Sequence, residues 1–243
     1  MKPILTIGTI NRNNSKGLER TIASVARQKC GGLEYVVIDG NSSDGSVDVI
    51  RANTAKIDYW VSEPDRGISD AFNKVIGSAN AAWVMLLNAG DVLRDDSITR
   101  IFDALMTNAR VDIVCGRTLA LSNSGNHKVL VPNASKLPLE MSIPHPSSIV
   151  NKTLYEKVGG YGLEYRIAMD YAFFLKARAA NARFIELEDV YVEMEDGGVS
   201  NQSAFSRNRD SWEARNGAGI GLVANSYAFV RRLSRDLLSK AFK

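Results

Sequence analysis

Three short apolar runs in this chain end in carboxylates. Residues 35–38 lead into Asp39, 59–61 into Ser62-Glu63-Pro64-Asp65, and 83–87 into Asn88-Ala89-Gly90-Asp91. A carboxylate so placed can accept hydrogen bonds from a heterocyclic base or a ribose. It can also hold a hard divalent cation that in turn holds a diphosphate, though not the diphosphate itself, because like charges repel. The structural alternative is as concrete: an Asp after a strand caps a turn or a helix. Arg66, Asp70 and Lys74 follow Asp65. Asp70 and Lys74 have the four-residue spacing of an ion pair on a helix surface. Pro64 fixes the turn before them, and Gly67 permits close backbone approach. Neither a G-x-G-x-x-G after a strand nor a G-x-x-x-x-G-K-[ST] is found, which weakens a dinucleotide oxidoreductase or a P-loop NTPase.

The elements that must position these residues show as an alternation. Residues 4–10 are a short β-rich run, and 17–28 carry Leu18, Ile22 and Val25 at helical spacing. Residues 47–50 read as a short helix. Residues 68–79 read as a helix with Ala71, Phe72, Val75 and Ile76 on one side, and 98–106 as another. Apolar strands alternating with amphipathic helices predict an α/β fold: a mostly parallel, Rossmann-like central sheet, helices on both faces and right-handed crossovers. A ligand in such a sheet sits outside the carboxyl ends of the strands, where these acidic residues stand. After about residue 110 the pattern changes. Residues 113–121 and 128–131 read as strands around a turn at Asn123-Ser124-Gly125-Asn126, and 133–144 as irregular chain. Residues 152–158 and 170–180 read as helices, 183–187 and 191–193 as short strands, and 203–216 and 220–243 as helices. The expected division is 1–110, then 111–219 packed on the same sheet, then a terminal helix over 220–243.

The 243 residues are 45% hydrophobic and 23% charged, which excludes a disordered or fibrous chain. Cys30 and Cys115 are too few for a disulfide framework, and His127 and His145 too few for a site built mainly of histidine. No run approaches the roughly 18 apolar residues of a membrane span, and one Lys followed by Pro3 does not open a signal peptide. The expected location is therefore cytoplasmic. Net charge is +3, but five cations, Arg231, Arg232, Arg235, Lys240 and Lys243, stand against Asp236 alone near the end. The body is left near neutral, which argues against a nucleic-acid partner. At 100° per residue Val223, Tyr227, Val230, Leu233, Leu237, Leu238 and Ala241 share one side of the terminal helix. Such a basic amphipathic helix suits an anionic inner-leaflet surface, or else lies on the body with a solvated face.

The ordered motifs resemble the family-two glycosyltransferases of GT-A fold. The residues that carry the likeness are Asn11-Arg12 after the first strand, and Val36-Val37-Ile38-Asp39-Gly40-x-Ser42-x-Asp44-Gly45-Ser46. Ser62-Glu63-Pro64-Asp65-x-Gly67-Ile68-x-Asp70-Ala71-x-Asn73-Lys74 and Leu87-Asn88-Ala89-Gly90-Asp91 follow. Pro144-His145-Pro146, Ile167-Ala168-x-Asp170-Tyr171 and Gly197-Gly198-Val199-Ser200 complete the set. It is most similar to the branch that builds bacterial surface polysaccharides such as colanic acid and O-antigen. The resemblance implies a hexosyl transfer with inversion from a nucleoside-diphosphate sugar, a UDP- or GDP-sugar, to a hydroxyl of a lipid-linked oligosaccharide. It implies a nucleotide-sugar-binding first part and an acceptor and catalytic second part; a lipid-linked acceptor gives the basic terminal helix a reason to lie peripherally on the inner membrane. It further implies that Asp39 bonds the base and that Asp65 binds base or ribose. Asp70, Asn73 and Lys74 then lie toward ribose or phosphate, Thr9, Arg12 and His145 contact substrate, and Asp170 is the catalytic base. Asp91 holds Mn²⁺ or Mg²⁺, with Ala89 standing where the family has the first Asp of its Asp-x-Asp. Gly197–Ser200 reads as a loop closing over the donor. Two rivals stand beside this reading. A nucleotidyltransferase would need a glycine-rich basic first loop, where this chain supplies only Arg12. A catalytically silent nucleotide-binding module that recruits a partner to the membrane draws support from Ala89.

Overall fold

Seven consecutive buried residues, Leu5–Asn11, form β1, an inner strand of the parallel part of the sheet. Leu33–Asp39 (β2) is buried along its whole length too, as befits a strand covered on both faces. Tyr59–Ser62 (β3) lies at the edge, and Trp83–Asn88 (β4) on the far side of β1. The structure, a computed structural model, describes residues 2–108, 110–122, 125, 127–195 and 204–241; for 204–205 and 235–241 it describes the backbone only. The crossovers are α1 (Ser15–Ala26), α2 (Ser46–Ala52) and α3 (Ile68–Ser78); α4 (Ser97–Thr107) follows β4. The Asn14 side chain caps α1, accepting from the Gly17 N–H at 3.1 Å.

The later strands extend the same sheet. They are Val92–Leu93 (β5), Ile113–Leu121 (β6), His127–Leu130 (β7), Ser148–Asn151 (β8) and Phe184–Glu195 (β9). Among the described residues the order is β3-β2-β1-β4-β8-β6-β9-β5, with β7 on β6. Three features differ from the sequence expectation, the first being the two-residue strand β5, which forms only by pairing antiparallel to β9. β8 was not anticipated: Ser148-Ile149-Val150-Asn151 holds two apolar residues, and its pairing, antiparallel to both β4 and β6, supplies what its own composition lacks. The two short strands expected at 183–187 and 191–193 are one continuous strand, β9, parallel to β6 with a register shift at Arg117. Asn123, Ser124 and Asn126 of the expected turn lie outside the described residues.

Alternate strand residues feed two apolar layers. Leu5, Ile7, Tyr35, Val37, Met85 and Leu87 meet α1 and α4 on one face. Ile10, Val36, Ile38, Val84 and Leu86 meet α3 and α6 (Met169–Ala179) on the other. Gly8 lets α3 close onto β1, since a Cβ there would overlap Val75. Most of α6 is buried around its circumference, which makes it a core helix. α5 (Lys152–Val158) precedes it; α7 (Ala204–Gly217) and α8 (Leu222–Ala241) close the chain. Together these helices hold the N-terminus of α6 in place, and with it Asp170.

Candidate active site

Parallel register sets the first group of residues side by side. Asn11 pairs with Asp39 across β1 and β2, and Asp39 with Ser62 across β2 and β3. Neighbouring strands lie about 4.8 Å apart, so the three side chains share one corner of the sheet edge. The Asp39 carboxylate is 0% exposed and fully engaged. It accepts from Asn11 Nδ2 (2.7 Å), the Ser42 N–H (2.9 Å), Ser42 Oγ (2.6 Å) and Ser62 Oγ (2.6 Å). Burial alone would raise its pKa; the bonds from Ser42, Ser62 and Asn11 outweigh it and hold Asp39 below the ordinary value, as a carboxylate. Asn11 Oδ1 is buried and has no hydrogen-bond partner among the described residues. Beside this corner, Arg12 approaches Asp65 at 3.7 Å, and Asp65 accepts from the Gly67 N–H at 2.9 Å. Gly40 makes room for the pair, since a Cβ there would overlap the Asp65 carboxylate. Asp44 serves turn chemistry, accepting from Ser46 Oγ (2.6 Å) and the Ser15 N–H (2.8 Å).

Several expected substrate contacts are occupied elsewhere. Thr9 lies two residues below the end of β1, fully buried, its hydroxyl 3.0 Å from Tyr35 OH; it is a core residue and not part of the rim. Asn73 has both amide groups committed to the Tyr161 backbone, at 2.8 Å each, and joins α3 to the chain after α5. Asp70 closes the turn before α3 through the Arg66 N–H (3.1 Å) and Arg66 Nη2 (3.0 Å). Lys74 reaches Glu63 (2.7 Å) and the Pro64 carbonyl (2.9 Å), and lies 4.0 Å from Asp70. His145 sits in an aromatic nest with Phe72 (5.0 Å) and Phe174 (6.3 Å), and its Nε2 is 2.9 Å from Tyr161 OH. Burial pushes its pKa down to about 4, so it is neutral at pH 7. Each of these arrangements is a tertiary commitment.

Asp91 stands at the end of the tight turn after β4. Its Oδ2 accepts from the Asn88 N–H (2.8 Å) and Nδ2 (3.3 Å), and Gly90 turns with φ 113°. Thr21 ties the turn to α1, accepting from the Gly90 N–H (2.9 Å) and donating to the Asp91 carbonyl (2.7 Å). Burial pushes Asp91 up to about 7, against the Asn88 bonds, and the Glu195 charge adds to the rise. Among the described residues no three His, Cys, Asp or Glu side chains converge on one point. Asp91 is a single buried carboxylate whose one acidic neighbour, Glu195, already pairs with Arg20 at 2.5 Å; a hard cation held here would take most of its ligands from diphosphate and water. The Asp96 side chain, at the N-cap position of α4, makes no capping bond there.

Asp170 is the second residue of α6, half-buried, with Oδ1 accepting from the Tyr171 N–H at 2.7 Å. Burial pushes it up to about 6; the N–H bonds of the helix terminus and the Arg232 charge, from α8, pull the other way. A carboxylate ionised just below neutrality is suited to accept a proton from a hydroxyl at pH 7. The loop Gly197-Gly198-Val199-Ser200 lies outside the described residues.

Sequence reasoning passed over Asn11, Ser62 and Glu195 as participants. Asn11 and Ser62 stand in the motifs that carry the family likeness, but only their register with Asp39 gives them a role, and nothing in the sequence singles out Glu195, which pairs with Arg20 at 2.5 Å.

The model of glycosyl transferase family 2 matches residues 6–169. An uncharacterized glycosyltransferase of Mycobacterium tuberculosis, Rv1514c, is 32% identical over 180 residues, 72% of this chain and 69% of the relative. A PGL/p-HBAD biosynthesis glycosyltransferase of Mycobacterium bovis is 26% identical over 205 residues, 82% of this chain and 80% of the relative. Among solved structures, S. aureus TarS 1-349 in complex with UDP-GlcNAc superposes with TM-score 0.70 at 13% identity, over 96% of this chain and 72% of that one. The mannosyltransferase PcManGT of Pyrobaculum calidifontis, in complex with GDP-Man and Mn²⁺, gives TM-score 0.68 at 16% identity, over 99% and 76%. The fold is thus of the GT-A type, and the chain belongs to glycosyl transferase family 2.

Proposed function

We propose that this glycosyltransferase moves a hexosyl unit, with inversion, from a UDP- or GDP-sugar to a hydroxyl of a lipid-linked oligosaccharide in surface-polysaccharide synthesis. The observation that carries the reading is the alignment of Asn11, Asp39 and Ser62 at one edge of the sheet, with the Asn88–Asp91 turn two strands away from Asp39. The nucleotide lies along that edge. Asp39 already has four donors, so it acts by fixing Asn11 and Ser42, and Asn11 Oδ1 is the acceptor left for a base N–H. Arg12 and Asp65 flank the ribose end. On the acceptor side Asp170 takes the hydroxyl proton as the oxygen attacks the anomeric carbon; the glycosidic bond forms as the bond to the diphosphate oxygen breaks. Asp91, with Glu195 beside it, would hold a divalent Mn²⁺ or Mg²⁺, which when bound neutralises charge on the departing diphosphate.

Product analysis tests the reaction class. Incubation with UDP- and GDP-sugars, Mn²⁺ and a lipid-linked acceptor should release nucleoside diphosphate. Release of pyrophosphate would assign nucleotidyl transfer. Nucleotide-sugar binding without turnover on any acceptor would assign a silent binding module.

A further inference from the structure

In its first part α8 presents four apolar residues outward while it grips the body largely through polar ones. Arg215 Nε donates to Asn225 Oδ1 (2.7 Å), Asn225 Nδ2 to the Trp212 carbonyl (3.1 Å), and Arg232 Nη1 to Ser211 Oγ (2.9 Å). Ala228, 2% exposed, and Phe229, whose ring meets Trp212 edge-on at 5.8 Å, add apolar contact to this inner face. The outer face carries Leu222, Val223, Tyr227 and Val230, exposed by 70, 86, 60 and 60%. At 100° per residue, Val223, Tyr227 and Val230 fall within roughly 60° of one another. A helix stabilised only by its own protein turns such residues inward. An exposed apolar stripe of this kind marks a surface that something else covers. Arg231 is exposed on the same helix, and the sequence runs on through Arg235, Lys240 and Lys243 against the single Asp236. Aliphatic and tyrosyl side chains beside clustered cations match an anionic lipid interface in both polarity and charge.

We propose that the outer face of α8 docks this protein on an anionic bilayer, with Val223, Tyr227 and Val230 entering the headgroup boundary and Arg231 beside them facing lipid phosphates. In naming the membrane as partner, the proposal rests on the transferase reading for its purpose. Arg232, on the inner face of the same helix, bonds Ser211 of α7 at 2.9 Å, and α7 packs on α6, so docking would hold the end of the molecule that carries α6 and Asp170 near the lipid surface.

Co-sedimentation of the full chain with vesicles of phosphatidylcholine, alone or mixed with phosphatidylglycerol, tests it. The expected result is binding to the anionic vesicles only, weakened by salt. The triple variant Val223→Ser/Tyr227→Ser/Val230→Ser should lose at least about tenfold in partitioning. Arg231→Gln should lose about fivefold, equivalent to ~1 kcal/mol. These side chains face solvent, so the triple variant should melt as the wild type does, and calorimetric titration of nucleotide sugar should give wild-type affinity. Absence of anionic-vesicle binding by the wild type, or unchanged binding by the triple variant, overturns the proposal. So does a concentration-dependent dimer that the triple variant abolishes without any vesicle binding, which would give the face to a second copy. Vesicle binding with the expected losses supports the docking face even where no nucleotide sugar binds; that second result would remove only the transferase reading.

Discussion

Replacing Gly40 by alanine asks whether the Arg12–Asp65 pair belongs to the donor site. An ideal Cβ on Gly40 overlaps Asp65 Oδ2 and falls 3.1 Å from Asp65 Cγ and 3.4 Å from Arg12 Cδ. Gly40 is not among the residues with positive φ, so alanine fits its backbone. The strain therefore falls on the Asp65 side chain, which must swing away, giving up its bond to the Gly67 N–H (2.9 Å) and its approach to Arg12 (3.7 Å). A hydrogen bond to a charged group contributes ~1.5–3 kcal/mol. If Asp65 contacts base or ribose, donor affinity falls roughly tenfold to a hundredfold. Titration calorimetry with UDP- and GDP-sugars on wild type, Gly40→Ala, Asp65→Ala and the double variant gives the magnitude. The double variant should bind no more weakly than Asp65→Ala, because both changes remove the same contact. Gly40→Ala binding within about twofold of wild type, or losses that add in the double variant, would refute the placement of Asp65 at the donor.

Two further outcomes follow from the electrostatics. The rate kcat/KM should climb with pH as Asp170 ionises, with an inflection near about 6, and level off above it; Arg232→Gln, which removes a charge that lowers this pKa, should move the inflection upward in a pH–rate profile. Asp39 has a lowered folded pKa, so its stabilisation is present above the ordinary carboxylate value of ~3.9 and is lost as pH falls through the folded value. Asp39→Asn, which cannot accept at Nδ2, should cost about 2–5 kcal/mol at pH 7 by urea melting, with the gap to wild type closing in acid.

The alternation of strands and helices was legible because buried parallel strands are continuously apolar and their covering helices repeat near 3.6 residues. The ends of β1, β2 and β4 fell within a residue of expectation for that reason. β8 was not legible, since half of its four residues are polar and its partners lie far away in sequence. The same limit governs the site. Asp39, Asp65 and Asp91 could be picked out by their place after strands, but the closeness of Arg12, Gly40 and Asp65 depends on register and on a glycine whose missing Cβ is felt only in three dimensions. Thr9 is expected to contact substrate, yet two strand residues of about 3.3 Å each set it down into the core. Asn73 and Lys74 stand on α3 as a binding helix would place them, and nothing in their spacing reveals that Tyr161, Glu63 and Pro64 already hold them. The tail's amphipathic period was plain, but which face meets the body was not: Arg215, Ser211 and Trp212 of α7 select the polar one.

The proposed chemistry turns on Asp170, and the most direct measurement separates its role in transfer from its role in binding. In Asp170→Asn the amide keeps the shape at the start of α6 but takes up no proton. Transfer to a lipid-linked acceptor should fall about 100- to 10,000-fold while the Kd for nucleotide sugar stays within about threefold of wild type. Transfer at the wild-type rate in that variant would contradict the mechanism.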